Sequence, residues 1–246
     1  MKLKFSIKEG RKRIKLDFGK KVESKKRYLS ELVKDKVILD LENAKKLLEK
    51  GDLIIYEVFN LWKFDEFAEK FFSKFNIMLD ITLLKHGTFS LKKGGEAFCT
   101  YGHAHEKNVG EAYQVLKNDC FLLLSNSKNF NSYLIKLEEG CSFFIHPNFI
   151  HRLISGRKDC VVLNFVPSDA GHDYGVVKNK GFPFHVFYDE NGKVHFKENE
   201  NYCARLVLVE KVDKFDVLSF AEKEPEKLKK ILRTPKDIYR LTKKYL

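Results

Sequence analysis

Thr100-Tyr101-Gly102-His103-Ala104-His105-Glu106-Lys107-Asn108-Val109-Gly110-Glu111-Ala112-Tyr113 is the stretch on which the reading of this chain turns. Two histidines one residue apart on an extended segment project to the same face, because side chains along a strand alternate with a period of two. His103 and His105 can then both reach one ion at about 2.1 Å, while Ala104 points the other way. Glu111 begins a β-like run just beyond the polar loop 106–110. A hairpin returning to the same sheet would put its carboxylate beside the histidine pair. Glu106 is the rival carboxylate, but it adjoins His105 and on a continuing strand would face away. A His-x-His pair alone arises by chance on many surfaces, so the remaining ligands carry the argument.

The next of them is His151, in Gly140-Cys141-Ser142-Phe143-Phe144-Ile145-His146-Pro147-Asn148-Phe149-Ile150-His151-Arg152. A Gly turn enters an apolar strand, Pro147 stops it, and a histidine follows four residues later. His146 precedes the proline and is read as structural. Around both motifs, short β-rich runs recur at 77–84, 97–100, 114–116, 121–124, 132–137, 142–146, 152–154, 161–166, 185–188 and 205–209. Clusters of Gly, Asn, Asp and Lys separate them. Many short strands punctuated by turns predict an all-β sandwich or barrel, and Asp189-Glu190-Asn191-Gly192 is a good hairpin turn. The two histidine motifs resemble those of cupin domains, which are small double-sheet β-barrels. The resemblance implies that His103, His105, Glu111 and His151 hold one divalent metal ion. Three imidazoles and a carboxylate suit Fe(II), the first expectation, or Mn(II), Ni(II) or Zn(II). The fold by itself does not choose a reaction.

The stretch Val166-Pro167-Ser168-Asp169-Ala170-Gly171-His172-Asp173-Tyr174-Gly175 narrows the choice. It is similar to a signature of archaeal-type cupin glucose-6-phosphate isomerases. Thr-x-Gly-His-x-His followed by Glu-x-Tyr, and Pro-x-x-x-His-Arg, match the same family in order over residues 52 to 202. The resemblance implies interconversion of glucose 6-phosphate and fructose 6-phosphate. Their chemistry makes Glu111, as proton shuttle, and His172, as an aid to ring opening, the catalytic candidates, and the resemblance places His172 among the residues lining the substrate cavity. Thr88, Thr100 and Gly102 match the region that holds the sugar phosphate, and Tyr56, Tyr113 and Tyr174 match residues lining the substrate cavity. These residue types fit the task. Hydroxyls and glycine N–H groups supply donors to a phosphate, and aromatic walls with phenol tips suit a sugar. Tyr56 and Tyr113 could equally be core aromatics, and Thr88 could merely cap a turn. His86, His185 and His195 read as ordinary surface or strand residues. Two departures stand out: the His105–Glu111 loop is one residue shorter than the family pattern, and Val166 replaces an aromatic.

Two hydrogen-transfer routes fit these residues. Either Glu111 moves a proton between adjacent carbons through an enediol, the favoured route, or hydrogen passes directly as hydride. The rival functions are a non-catalytic sugar-phosphate-binding cupin and an Fe(II) dioxygenase, the latter opposed by the 166–175 loop.

The rest of the chain frames this centre. Its 246 residues, 43% of them hydrophobic, suffice for one barrel with appendages. The expected division is an N-terminal decoration over 1–76 with strand and helices, a cupin barrel over 77–212, and a C-terminal helical tail over 213–246. Phe64, Phe67, Phe71 and Phe75 recur at helical spacing and read as a packing stripe. No run is long enough to span a membrane, and the N-terminus lacks the pattern of a secretory signal. Five scattered cysteines read as reduced thiols. The net charge of +12 is spread along the chain, densest over 11–15, 20–27 and 227–244. No nucleic-acid motif accompanies it, so it reads as a solvated lysine-rich surface. A cytoplasmic enzyme acting on a sugar phosphate is expected, with no nucleic-acid or membrane partner. The resemblance also implies a homodimer.

Overall fold

Alternation along two neighbouring strands explains the architecture. The computed structural model describes residues 3–10 and 13–246, so Met1, Lys2, Arg11 and Lys12 of the N-terminal basic stretches lie outside the described residues. In β5 (Ile77–Leu84), Ile77, Leu79, Ile81 and Leu83 point to one side, and Asp80 and Thr82 to the other. In β12 (Cys160–Pro167), Val161, Leu163 and Phe165 join the first side, whereas Val162 and Asn164 face inward. Both faces of this sheet are therefore covered, one by the barrel interior and one by helices, which is why the two strands are almost wholly buried.

The larger sheet has six strands in the order β10 (Ser142–Ile145), β7 (Glu111–Lys117), β12, β5, β4 (Ile54–Asn60) and β3 (Lys25–Tyr28). Opposite it stands a four-stranded sheet ordered β11 (Phe149–Ser155), β8 (Cys120–Asn126), β9 (Ser132–Leu137) and β15 (Leu206–Val209). A small sheet of β14 (Val194–Glu198), β13 (Phe184–Tyr188) and β6 (Gly95–Glu96), and a hairpin of β1 (Ser6–Glu9) with β2 (Ile14–Asp17), complete the strands. This is the double-sheet cupin barrel. One apolar core lies between the sheets, around Leu122, Leu124, Val162 and Ile154. A second lies outside the larger sheet, beneath its helices.

Residues 1–76, expected as decoration, contribute β3 and β4 to the larger sheet. They also supply α1 (Leu29–Lys34), α2 (Leu41–Leu48) and α3 (Glu66–Phe75). Asp65 caps α3 by accepting from the N–H groups of Phe67 and Ala68, donors that a helix start leaves unpaired. Asn76 ends it in the left-handed conformation. Phe71, almost fully buried, packs against Phe75 and Phe165, so the phenylalanine stripe is indeed a packing face. The tail forms α4 (Val217–Lys223), α5 (Pro225–Arg233) and α6 (Pro235–Thr242), with Pro225 and Pro235 each in a helix's first turn. Val217, Leu228, Leu232 and Ile238 drive these helices into the second core.

One expected strand is absent as such. Residues 97–100 make only isolated bridges, Ala97 with Thr88 and Cys99 with Ile154. No helix among the described residues is long and apolar enough to cross a membrane.

Candidate metal and substrate site

The histidine pair does not lie on a regular strand. His103 bridges His151 of β11, with N–H···O bonds of 3.2 and 2.9 Å exchanged between them, and Ala104 bridges Asp173. Glu111 does not return to the same sheet either. It opens β7 of the six-stranded sheet, whereas His151 belongs to the four-stranded one. The carboxylate therefore meets the imidazoles from across the barrel, and closure of the two sheets brings the four groups together. One ligand atom from each of His103, His105, Glu111 and His151 lies within 4.8 Å of the others.

The surrounding contacts aim these groups inward. His105 Nδ1–H donates to the Val109 carbonyl at 2.7 Å, which leaves Nε2 facing the cluster. His151 Nδ1 lies 3.3 Å from the Phe149 carbonyl, and its Nε2 lies 3.0 Å from Glu111 Oε2. The other Glu111 oxygen accepts from Asn164 Nδ2 at 3.0 Å. His103 Nε2 and His105 Nε2 are buried without a hydrogen-bond partner. The 3.4 Å approach of His105 Nε2 to Glu111 Oε2 is an ion-pair contact that lacks hydrogen-bond alignment. Buried polar atoms are almost always paired, so two orphaned imidazole nitrogens beside a carboxylate fit a bound cation.

Electrostatics agree. Burial and the neighbouring His151 hold the His103 imidazole well below its usual proton affinity. Burial alone would do the same to His105, but the Glu111 carboxylate outweighs it and raises the value. Burial would raise Glu111, yet the His105 and His151 imidazoles beside it hold it well below the carboxylate range. The site thus favours an ionised carboxylate and, at His103, a neutral imidazole, the forms in which both bind metal.

A cavity of about 170 Å³ opens onto this cluster. Tyr56, Thr100, Gly102, Tyr113, His172 and Tyr174 all line it. Gly102 has φ +84°, and a Cβ there would fall 2.5 Å from the Phe182 ring, so only glycine lets the chain pass this close. Thr100 Oγ1 accepts from the Leu153 N–H at 3.0 Å, leaving its proton free to donate. The His172 ring sits 4.5 Å from that of His103 and stacks on Tyr174 at 6.0 Å. Burial lowers its proton affinity. Val166 also lines the cavity.

Thr88 is elsewhere. Its hydroxyl donates to the Gly94 carbonyl at 3.0 Å, and it does not line the cavity. The threonine that does, besides Thr100, is Thr82 on the inner face of β5. Asp80, Asn164, Lys25 and Arg27 also line it and were not foreseen. For Asp80 and Thr82 a signal existed: polar residues two apart in the apolar run Ile77–Leu84 mark a face turned to a cavity. For Lys25 and Arg27 there was none, because β3 joins the barrel only through tertiary pairing. Arg27 is bonded to Glu31 at 2.9 Å and lies over the rings of Tyr101 and Tyr174. His146 accepts from the Asn148 N–H and stands outside the cluster. Glu106 lies against Gly171. His185 is on β13 but fully buried, 2.6 Å from Glu96.

Sequence comparison, rather than structural overlap, identifies the family. A solved oxalate oxidase overlaps with a TM-score of 0.37 at 13% identity, over 48% of this chain and 54% of its own. A glucose-6-phosphate isomerase of Thermococcus litoralis is 34% identical over 193 residues, 77% of this chain and 95% of the relative. One of Pyrococcus horikoshii is 31% identical over the same length and shares. The family model described as glucose-6-phosphate isomerase matches residues 31–205, a span that contains the four clustered side chains and the 166–175 loop. The chain belongs to the glucose-6-phosphate isomerase family.

Proposed function

We propose that His103, His105, Glu111 and His151 hold one divalent ion, Fe(II) in the first instance, and that glucose 6-phosphate and fructose 6-phosphate are interconverted in the cavity beside it. The observation that carries this reading is the pair of buried imidazole nitrogens without a hydrogen bond, clustered with the Glu111 carboxylate. A bound ion would supply positive charge against the negative charge that develops on the sugar oxygens. Lys25 and Arg27 line the cavity and can draw in a phosphate dianion, while the hydroxyls of Thr82 and Thr100 donate to it. The phenols of Tyr56, Tyr113 and Tyr174 border the space left for the sugar. His172, beside His103, is placed to move a proton at ring opening. Glu111 is the group assigned to carry the proton between the two carbons through an enediol.

Thr88 is withdrawn from the phosphate site, since its hydroxyl is engaged by Gly94. A cytoplasmic homodimer is the expected setting. Buried, uncrosslinked Cys99, Cys120, Cys141 and Cys160 suit a reducing compartment, and light scattering would measure the assembly. The decisive experiment is turnover of fructose 6-phosphate by chelator-stripped protein before and after adding back Fe(II), Mn(II), Ni(II) or Zn(II). Metal-dependent turnover is expected. Tight binding of fructose 6-phosphate with no turnover under any metal would instead indicate a sugar-phosphate-binding cupin.

A further inference from the structure

Residues beyond 205 lie outside the matched family region, yet they hold the segment that presents two of the clustered side chains. The backbone N–H of Gly110 donates to the carbonyl of Leu232 at 2.7 Å. Leu232 is in the last turn of α5, where helical carbonyls have no partner within the helix. The bond therefore pairs an otherwise orphaned acceptor with a buried donor. The same Val109–Gly110 peptide presents its other end to the site: the Val109 carbonyl accepts from His105 Nδ1–H at 2.7 Å. A single peptide plane thus links the C-terminal end of α5 to the His105 imidazole. The next residue is Glu111.

The tail is fitted closely to this peptide. A Cβ built on Gly110 would fall 2.2 Å from Cδ1 of Ile238, a fully buried residue of α6, and 2.5 Å from the Ile145 carbonyl. Three residues beyond Glu111 along β7, Gln114 is held at both ends of its amide. Its Nε2 donates to Asp216 at 3.0 Å and its Oε1 accepts from the Leu218 N–H at 2.8 Å.

We infer that the C-terminal helices are a positioning device for the site, with Ile238 and the Leu232 carbonyl acting through the Val109–Gly110 peptide on His105 and Glu111. Neither lines the cavity. The hydrogen-bonded relay polarises the peptide and, through it, the imidazole. Partners behind a ligand of this kind set its orientation and its affinity for metal. The inference rests on the proposed roles of His105 and Glu111, and the experiment separates the two.

The test is Ile238→Ala in the full chain, with Ile238→Val as a milder variant. Mn(II) affinity of stripped protein, the visible spectrum of the Co(II)-loaded form, and kcat and KM for fructose 6-phosphate are measured. Ile238→Ala should weaken Mn(II) binding about 10- to 100-fold, alter the Co(II) spectrum, and lower kcat more than it raises KM. Ile238→Val should shift each in the same direction by less. A folded Ile238→Ala protein with wild-type Mn(II) affinity, Co(II) spectrum and kcat overturns the inference. Should that variant not fold, an unchanged Co(II) spectrum and Mn(II) affinity in Ile238→Val does so. A wild-type chain that neither binds Mn(II) nor turns over sugar overturns the reading of the site itself, and this inference with it.

Discussion

Glu111→Gln tests the centre of the site at constant volume, so no cavity complicates it. Glu111 is 2% exposed and engages both oxygens: one faces the His151 Nε2 at 3.0 Å, on the side where the ion would sit, and the other accepts from Asn164 Nδ2 at 3.0 Å. A glutamine has one oxygen and one NH2. If its oxygen faces His151, its NH2 meets the Asn164 NH2, donor against donor. Flipping the amide turns its NH2 towards the imidazoles and against the ion. Either arrangement leaves a buried polar group unpaired, about 1–3 kcal/mol, and replaces the carboxylate charge facing the ion with a neutral amide, a charge-assisted contact worth about 1.5–3 kcal/mol. At about 1.4 kcal/mol per tenfold, a combined loss near 3 kcal/mol or more weakens metal binding by over about 100-fold. Titration of stripped protein with Mn(II), following the free ion by electron paramagnetic resonance, measures the loss against wild type. Turnover of fructose 6-phosphate at saturating Mn(II) should also collapse. Wild-type affinity together with an unimpaired rate would refute the place given to Glu111 in both binding and proton transfer.

Metal addition is expected to stabilise the stripped protein by about 2.7 kcal/mol at 100 times Kd, which for a chain of this length raises Tm by about 5–10 °C; a scanning calorimeter reads it directly. Lys25→Ala should raise KM for fructose 6-phosphate about fivefold, the equivalent of one partly exposed ion pair near 1 kcal/mol, and leave kcat nearly unchanged; an unaltered KM would remove Lys25 from phosphate recognition. Asp80 is pushed up to about 6 by burial, against an ordinary value of 3.8. The folded state therefore binds its proton more tightly, and stability is lost as pH rises from about 4 to 6. Asp80→Asn should stabilise metal-free protein at pH 8 by about 1–3 kcal/mol and give no gain below pH 4, measured by urea unfolding. In deuterated water, the enediol route predicts solvent deuterium on the transferred carbon, read by mass spectrometry. Complete retention of substrate hydrogen, joined to a normal rate in metal-loaded Glu111→Gln, favours the hydride route.

Several residues show where sequence reasoning ends. His103, His105, Glu111 and His151 could be named because their spacing and chemistry are local, and because a metal site needs those donor types whatever surrounds them. Alternation in Ile77–Leu84 carries a strand with a polar inner face, so Asp80 and Thr82 were legible in principle. Thr88 misled because a threonine near a Gly-rich turn resembles a phosphate donor, and its engagement by Gly94 depends on a turn geometry that spacing does not encode. The arrival of Glu111 from the opposite sheet follows from how the barrel closes, which no window of residues contains. Lys25 and Arg27 become cavity residues only because β3 pairs with β4 at the sheet's edge.

The tail is the clearest division. Its periodic leucines and isoleucines among lysines, broken by Pro225 and Pro235, determine that it folds as short amphipathic helices, since helix periodicity and proline stops are properties of the chain alone. Where those helices dock is decided by the apolar outer face of the larger sheet, which they bury, and by the missing side chain at Gly110. Complementarity between surfaces more than 100 residues apart arises only when the chain is folded. It turns an expected appendage into the backing of His105 and Glu111.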